Sequence, residues 1–259
     1  RDKHVTGVQT CALPIFGPDE LRCVAAEIRE RIVETVGRTG GHLGSNLGAV
    51  ELTLALHRVF DSPRDAILWD TGHQTYVHKL LTGRNAEFDG LRQGGQMSGY
   101  PSRAESGHDW IENSHASTVL AYAHGLATAE ATTGGSRRVV AVIGDGSMTG
   151  GMAFEGLNNL SHSGLKVTIV LNDNGRSYAP TVGRLSESLI RIRSNPTYMR
   201  RQRRLEDLAE NLPWVGELLE RSISATKAAL RDMFEPTAFF EALGRSEEHT
   251  SELQSRAYL

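Results

Sequence analysis

Cysteine is almost absent: Cys11 and Cys23 are the only two in 259 residues. That excludes a disulfide framework and a cysteine-rich zinc site, and it fits a reducing compartment. No apolar run approaches the roughly 20 residues needed to cross a bilayer. No basic-then-apolar leader opens the sequence either, so a cytoplasmic location is expected. An excess of one charge is missing too. The formal net charge of -3 gives no general attraction to nucleic acid or to an anionic membrane. No internal repeat occurs at the common solenoid periods. What remains is a composition of 39% hydrophobic and 23% charged residues, which is that of an ordinary globular chain able to bury a core.

The two ends read as foreign. Residues 245–255, RSEEHTSELQS, back-translate into a widely used sequencing-adapter oligonucleotide, and residues 5–15, VTGVQTCALPI, into its reverse complement. The expectation is that residues 1–15 and 245–259 are translated adapter. Residues 16–244 are then the authentic domain, truncated at its C-terminal end, and Cys11 leaves the chemical inventory.

Between those ends, helical and extended patterns alternate. Gly17-Pro18-Asp19-Glu20 is a helix start, and Leu21, Val24, Ile28, Ile32 and Val36 follow helical spacing. Cys23 falls within that helix, where packing is its default role. Gly40-Gly41 ends the helix and opens a loop carrying His42 and Ser45-Asn46. Further helices are predicted over 50–60, 75–81, 117–132 and 150–160. Short apolar runs at 66–70, 139–143 and 167–171 predict buried strands. This alternation implies an α/β fold, a doubly wound and mostly parallel sheet with flanking helices. Residues 91–113 are rich in Gly, Ser and Pro, and a loop this long inside a domain is usually functional. The arginine-rich stretch 191–204 reads as a solvated charged face. His78 and His162 read as surface or helix-end residues.

Two strand ends carry the chemistry. The strand 139–143 delivers Gly144-Asp145-Gly146-Ser147 and then Gly150-Gly151 at a helix start, and the strand 167–171 delivers Asn172-Asp173-Asn174. Carboxyl ends of neighbouring parallel strands are where open α/β sheets bind ligands. Asp145 and Asn174 offer hard oxygen donors suited to Mg²⁺, which completes its octahedral shell with phosphates and water. The glycines let backbone approach a diphosphate, and the helix start supplies unpaired N–H groups. Gly-Asp-Gly alone is a weak signal; joined to Asn-Asp-Asn at the next strand end it becomes specific.

At this point the chain resembles the thiamine-diphosphate enzymes, whose signature is GDG followed about thirty residues later by NDN or a close variant. Gly40-Gly41-His42-Leu43-Gly44, Asp70-Thr71-Gly72-His73-Gln74, Pro101-Ser102-Arg103-Ala104-Glu105-Ser106, Ser114-His115-Ala116-Ser117, Leu171–Asn174 and Phe239–Gly244 narrow the likeness. Together they resemble the 1-deoxy-D-xylulose-5-phosphate synthase family, over nearly all of residues 16–244. The resemblance implies the diphosphate-binding domain of the thiamine-diphosphate-binding fold. It implies that Asp145, Asn174 and the backbone carbonyl of Arg176 hold Mg²⁺. His73, the Ser114-His115-Ala116 stretch, Gly146, Ser147 and Asn174 would contact thiamine diphosphate. His42 would lie near the reacting centre and assist proton transfer, although after Gly-Gly it could equally cap a helix. His73 and His115, taken alone, read as structural hydrogen-bonders in polar turns.

The implied reaction condenses pyruvate with D-glyceraldehyde 3-phosphate, with loss of CO₂, and the implied full-length assembly is a homodimer without nucleic-acid or membrane partners. The family's activating glutamate and substrate-phosphate arginines belong to a second domain that this sequence does not contain, so the chain alone is expected to be inactive. Ser147-Met148 stands where the family more often has Ala followed by Leu or Ile. Two other readings stay open, a transketolase-like ketol transferase and a non-catalytic module that binds a Mg-diphosphate.

Overall fold

The computed structural model describes Leu13 and residues 16–173, all within Arg1–Ser177, the first of the two units into which the chain divides. Asn174, Arg176, the arginine-rich stretch, Phe239–Gly244 and the terminal segments other than Leu13 lie outside the described residues.

Helix α1 (Pro18–Thr39) starts as its sequence dictates. Pro18 supplies a helical φ, and the Glu20 carboxylate accepts the Gly17 N–H at 3.1 Å. It ends at Gly40, whose φ of 75° suits a residue without a Cβ. Val24, Ala25, Ile28, Ile32 and Val36 form its buried stripe. They pack against Leu54, Tyr76, Val77, Leu80, Leu81, Phe88 and Leu91, and Leu13 is buried in the same cluster. Complete burial of Ile28 and Ile32 stabilises by about 1.5–3 kcal/mol each. Cys23 corrects the expectation of a packing role: it is exposed, one position outside the stripe that begins at Val24. The loop expected after Gly40-Gly41 is also partly helical. It holds the single turn α2 (Leu43–Leu47), whose buried Asn46 side chain bonds the flanking backbone.

Three parallel strands follow, β1 (Ala66–Trp69), β2 (Val139–Gly144) and β3 (Thr168–Asn172), in the order β1-β2-β3. Ile67 pairs with Val140 and Trp69 with Val142, so these four share one face. That face packs on Leu56 of α3 (Val50–Val59). The alternate residues Ala66, Leu68, Val139, Ala141 and Ile143 are buried as well. Helix α5 (Val119–Thr133) packs on β1 and β2 and against α6 (Gly151–Ser163). A Cβ on Gly156 of α6 would sit 2.8 Å from the Leu120 Cβ of α5, so this glycine sets their close approach. Helices therefore cover both faces of a parallel sheet, the doubly wound arrangement the sequence implies. β3 differs from its expectation as a buried strand, being partly exposed, because only β2 pairs with it among the described residues. No helix among the described residues is long and apolar enough to cross a membrane.

Helix α4 (Tyr76–Leu81) is buried on every side, and this overturns the surface reading of His78. His78 Nε2 donates to Asp109 Oδ1 at 3.0 Å, which leaves its Nδ1 to accept from His57 Nε2 at 2.8 Å. Arg84 donates to both Asp109 oxygens, at 2.6 and 3.0 Å, and Lys79 pairs with Glu105. The two carboxylates also accept backbone N–H groups of the long loop: Ser102 N reaches Asp109 at 2.8 Å and Ser98 N reaches Glu105 at 2.6 Å. Burial pushes the His57 and His78 imidazoles below their ordinary range, for His78 against the hydrogen bond and charge of Asp109. Burial alone would raise the Asp109 carboxyl, but the hydrogen bonds and charges of His78 and Arg84 hold it well below the carboxylate range. The loop 91–113 is thus tied to α4 through a buried ionic network. His162, by contrast, is exposed in the last turn of α6, as expected.

Candidate functional site

All three strands point their carboxyl ends to one edge, and each end is tied to the next. Asp145, just past β2, donates its backbone N–H to the Asn172 carbonyl at 3.3 Å, continuing the register that pairs Gly144 with Asn172. The Asn172 side-chain amide donates to Gln74 Oε1, past β1, at 3.1 Å. Gln74 is buried and stands next to His73. The sequence Asp70-Thr71-Gly72-His73-Gln74 therefore reaches the same edge as Gly144–Ser147.

Asp70 shapes this edge from beneath. Its buried carboxylate accepts the backbone N–H groups of Ser117, Thr118 and Val119 at 3.0, 2.9 and 3.0 Å, fixing the start of α5 to the end of β1. This places Ser114, His115 and Ala116, all exposed, on the approach to α5. Ser117 takes a left-handed φ of 72°, and its hydroxyl donates to the Ser147 carbonyl at 2.6 Å. A Cβ on Gly150 would collide with Ser117 Oγ, so glycine is required where α6 begins. His115 keeps to its turn, its N–H donating to Asn113 Oδ1 at 2.8 Å.

The second half of the site is a pair of imidazoles. His42 and His73 stand edge to face with ring centroids 5.5 Å apart, and Tyr100 of the long loop lies 6.1 Å from His42. Nδ1 of His42 and Nδ1 of His73 are both buried without a hydrogen-bond partner. Burial and then the Arg92 charge lower the His42 pKa from its ordinary value of 6.5. Burial and then His42 lower that of His73, against the charge of Asp70. Both shifts favour the neutral imidazole. Their backbones are held by residues whose role no motif announces. Asn46 Nδ2 donates to the carbonyls of His42 and His73 at 2.6 and 2.8 Å, and its Oδ1 accepts the Tyr76 N–H at 2.9 Å. The Tyr76 hydroxyl accepts the His42 N–H at 3.3 Å. His42 sits at the N-cap position of α2 but its side chain makes no cap hydrogen bond, so the imidazole is not consumed by capping.

The structure thus gathers His42 with His73, and Asp145, Gly146 and Ser147 with the Ser114–Ser117 approach. Asn174 and Arg176 lie outside the described residues. Asp70, Gln74 and Asn46 emerge as further parts. Asp70 and Gln74 stand beside His73 in the sequence, whereas Asn46 carries no signal beyond its proximity to His42.

Comparison with known proteins follows the same segments. A family model described as 1-deoxy-D-xylulose-5-phosphate synthase matches residues 9–246. The 1-deoxy-D-xylulose-5-phosphate synthase of Frankia casuarinae is 57% identical over 226 residues, 87% of this chain and 34% of that protein. The protein of the same name from Rhodococcus erythropolis is 55% identical over 239 residues, 89% of this chain and 37% of that protein. The chain therefore spans about a third of the length of these curated relatives. Among solved structures, a transketolase from Leishmania mexicana matches with a TM-score of 0.53 at 24% identity, covering 68% of this chain and 28% of that one. A transketolase mutant from Pichia stipitis matches with a TM-score of 0.55 at 18% identity, covering 61% and 27%. At these identities the likeness is one of fold.

Proposed function

The chain belongs to the 1-deoxy-D-xylulose-5-phosphate synthase family, and from that premise we propose that it is the diphosphate-binding part of such a synthase. The parent enzyme condenses pyruvate with D-glyceraldehyde 3-phosphate, losing CO₂, to form 1-deoxy-D-xylulose 5-phosphate. The observation that carries this reading is the pairing of the Gly144–Ser147 strand end with the Asn172 strand end through Asp145 N–H.

The residues present fit thiamine diphosphate and Mg²⁺. Asp145, with Asn174 and the Arg176 carbonyl, makes an all-oxygen donor set of the kind magnesium takes. Gly146, Ser147 and the start of α6 offer backbone N–H groups, and Gly150 keeps that surface free of a side chain. Two buried, unpartnered imidazole nitrogens, of His42 and His73, await a polar partner. Thiamine diphosphate, when bound, supplies the electron sink that decarboxylation of a 2-oxo acid requires. His73 and the Ser114-His115-Ala116 approach orient it. His42, whose neutral form burial favours, accepts or returns a proton at the substrate. We carry the cytoplasmic location and the homodimer of the full-length protein as parts of this proposal. The same holds for residues 16–244 as the domain between two translated adapter segments.

Isothermal titration of the 259-residue chain tests the reading. Saturable binding of thiamine diphosphate that requires Mg²⁺ is expected, and Asp145→Ala should weaken it at least tenfold at unchanged melting temperature. No binding, or binding indifferent to Asp145→Ala, overturns it. The chain by itself should release no CO₂ from pyruvate, and detecting such release would remove the inactivity reading.

A further inference from the structure

Asn46 is fully buried, and its amide is a polar group that burial requires to be satisfied. Its side chain has two N–H donors and one carbonyl oxygen, and all three groups are used. One donor meets the carbonyl of His42 at 2.6 Å, the other that of His73 at 2.8 Å, and the oxygen meets the Tyr76 N–H at 2.9 Å. His42 and His73 are 31 residues apart in the chain and sit on separate segments, one before α2 and one after β1. No direct backbone hydrogen bond between those two segments is present among the described residues. The amide is the shared partner through which the two histidine carbonyls are held at a common atom. Tyr76 adds the second tie, accepting from His42 N–H, and Gly41 leaves room for it, since a Cβ there would lie 2.7 Å from the Tyr76 hydroxyl.

We propose that Asn46 is the positioning residue of the site, clamping the backbones of His42 and His73 so that their imidazoles meet at the observed 5.5 Å. The proposal rests on the reading of this edge as the cofactor site for its functional meaning, but its geometric content stands without any cofactor. The chemistry of the position is specific. Aspartate has nearly the same shape and could still accept from Tyr76 N–H, but it has no donor for two carbonyl oxygens and would set its charge against them. Alanine removes the side-chain partner of all three backbone groups.

The test uses the whole 259-residue chain, labelled at its histidine rings for NMR, without cofactor. The His42–His73 ring contact gives a proton cross-relaxation signal, and the His57–His78 contact, with centroids 5.0 Å apart, supplies an internal control for the fold. In Asn46→Ala and Asn46→Asp the His42–His73 signal should be lost while the His57–His78 signal persists. Where the reading of the site holds, the Kd for thiamine diphosphate with Mg²⁺ rises at least tenfold in both. Loss of the ring contact without any cofactor binding, even by the unsubstituted chain, would sustain the clamp and sink the cofactor reading. Retention of the His42–His73 signal in Asn46→Asp overturns the clamp. So does loss of both signals in both variants, which would make Asn46 part of the general core.

Discussion

Asp109→Asn removes one charge from the network beneath the long loop while leaving its volume almost unchanged. The carboxylate accepts four hydrogen bonds, from His78 Nε2 at 3.0 Å, Arg84 at 2.6 and 3.0 Å, and Ser102 N–H at 2.8 Å. An amide has one oxygen to offer, so its NH₂ must face donors on one side or the other. Arg84, nearly buried, would keep its 2.8 Å bond to Thr82 Oγ1, but its one remaining ion contact would be at 3.4 Å with Glu105, which Lys79 already engages. Removing one partner of a buried ion pair costs about 3–5 kcal/mol, against a total of about 5–15 kcal/mol for a typical domain. Urea unfolding followed by tryptophan fluorescence measures the loss, with Trp69 a reporter close to the network through its His78 contact. The expected loss is about 3–5 kcal/mol at unchanged m-value. A loss below about 1 kcal/mol, the worth of an exposed pair, refutes the reasoning. The paired change Asp109→Leu with Arg84→Met removes the uncompensated charge too, and should be less damaging than Asp109→Asn.

The same network makes stability depend on pH. The folded His57 and His78 bind protons less readily than the unfolded chain, whose histidines titrate near 6.5. Their contribution is fully present above that pH and lost as pH falls below it; Asp109, also depressed, adds a further loss only below about pH 4. Urea midpoints should therefore fall steadily from pH 7 to 4.5, and a midpoint that rises on acidification contradicts the assignment. Asp70→Ala strips three N–H groups at the start of α5 of their acceptor, costing about 1–3 kcal/mol in a thermal melt; an unchanged melting temperature argues against the tie. Gly72→Ala meets both a φ of 76° and a Cβ only 2.5 Å from Pro101 Cδ, so it should cost upwards of about 1–2 kcal/mol, and a silent variant would show that Pro101 moves freely.

The strands were legible because buried parallel strands are continuous apolar runs, and those at 66–69 and 139–144 are just that. Their exits were legible because glycine and aspartate do not continue such a run. His78 was not. Alone in a six-residue helix, it shows its burial only through His57 and Asp109, partners 21 and 31 residues distant in the chain. Cys23 was misread because helical periodicity tolerates a shift of one position, and Val24 rather than Cys23 faces the core. The short turn α2 escaped because five residues, one of them glycine, carry too little periodicity to register. His42, His73 and Asp145 were named from their motifs, but the amide joining the first two was invisible, since its three bonds are all to backbone.

Two helices begin at this sheet edge, and the Asp70 carboxylate treats them unequally. Each helix carries roughly half a positive charge at its start. For α5 that half-charge is answered from within, by the buried carboxylate on its first N–H groups. The first turn of α6 itself holds no acid, and its N-cap is a glycine without a side chain. On the proposed function, an arriving anion meets one helix start already answered by a carboxylate and one whose own first turn supplies none, beside Asp145. Under the proposed function, the aspartate that follows the first strand thus bears on which helix start is offered to the diphosphate, through charge rather than contact.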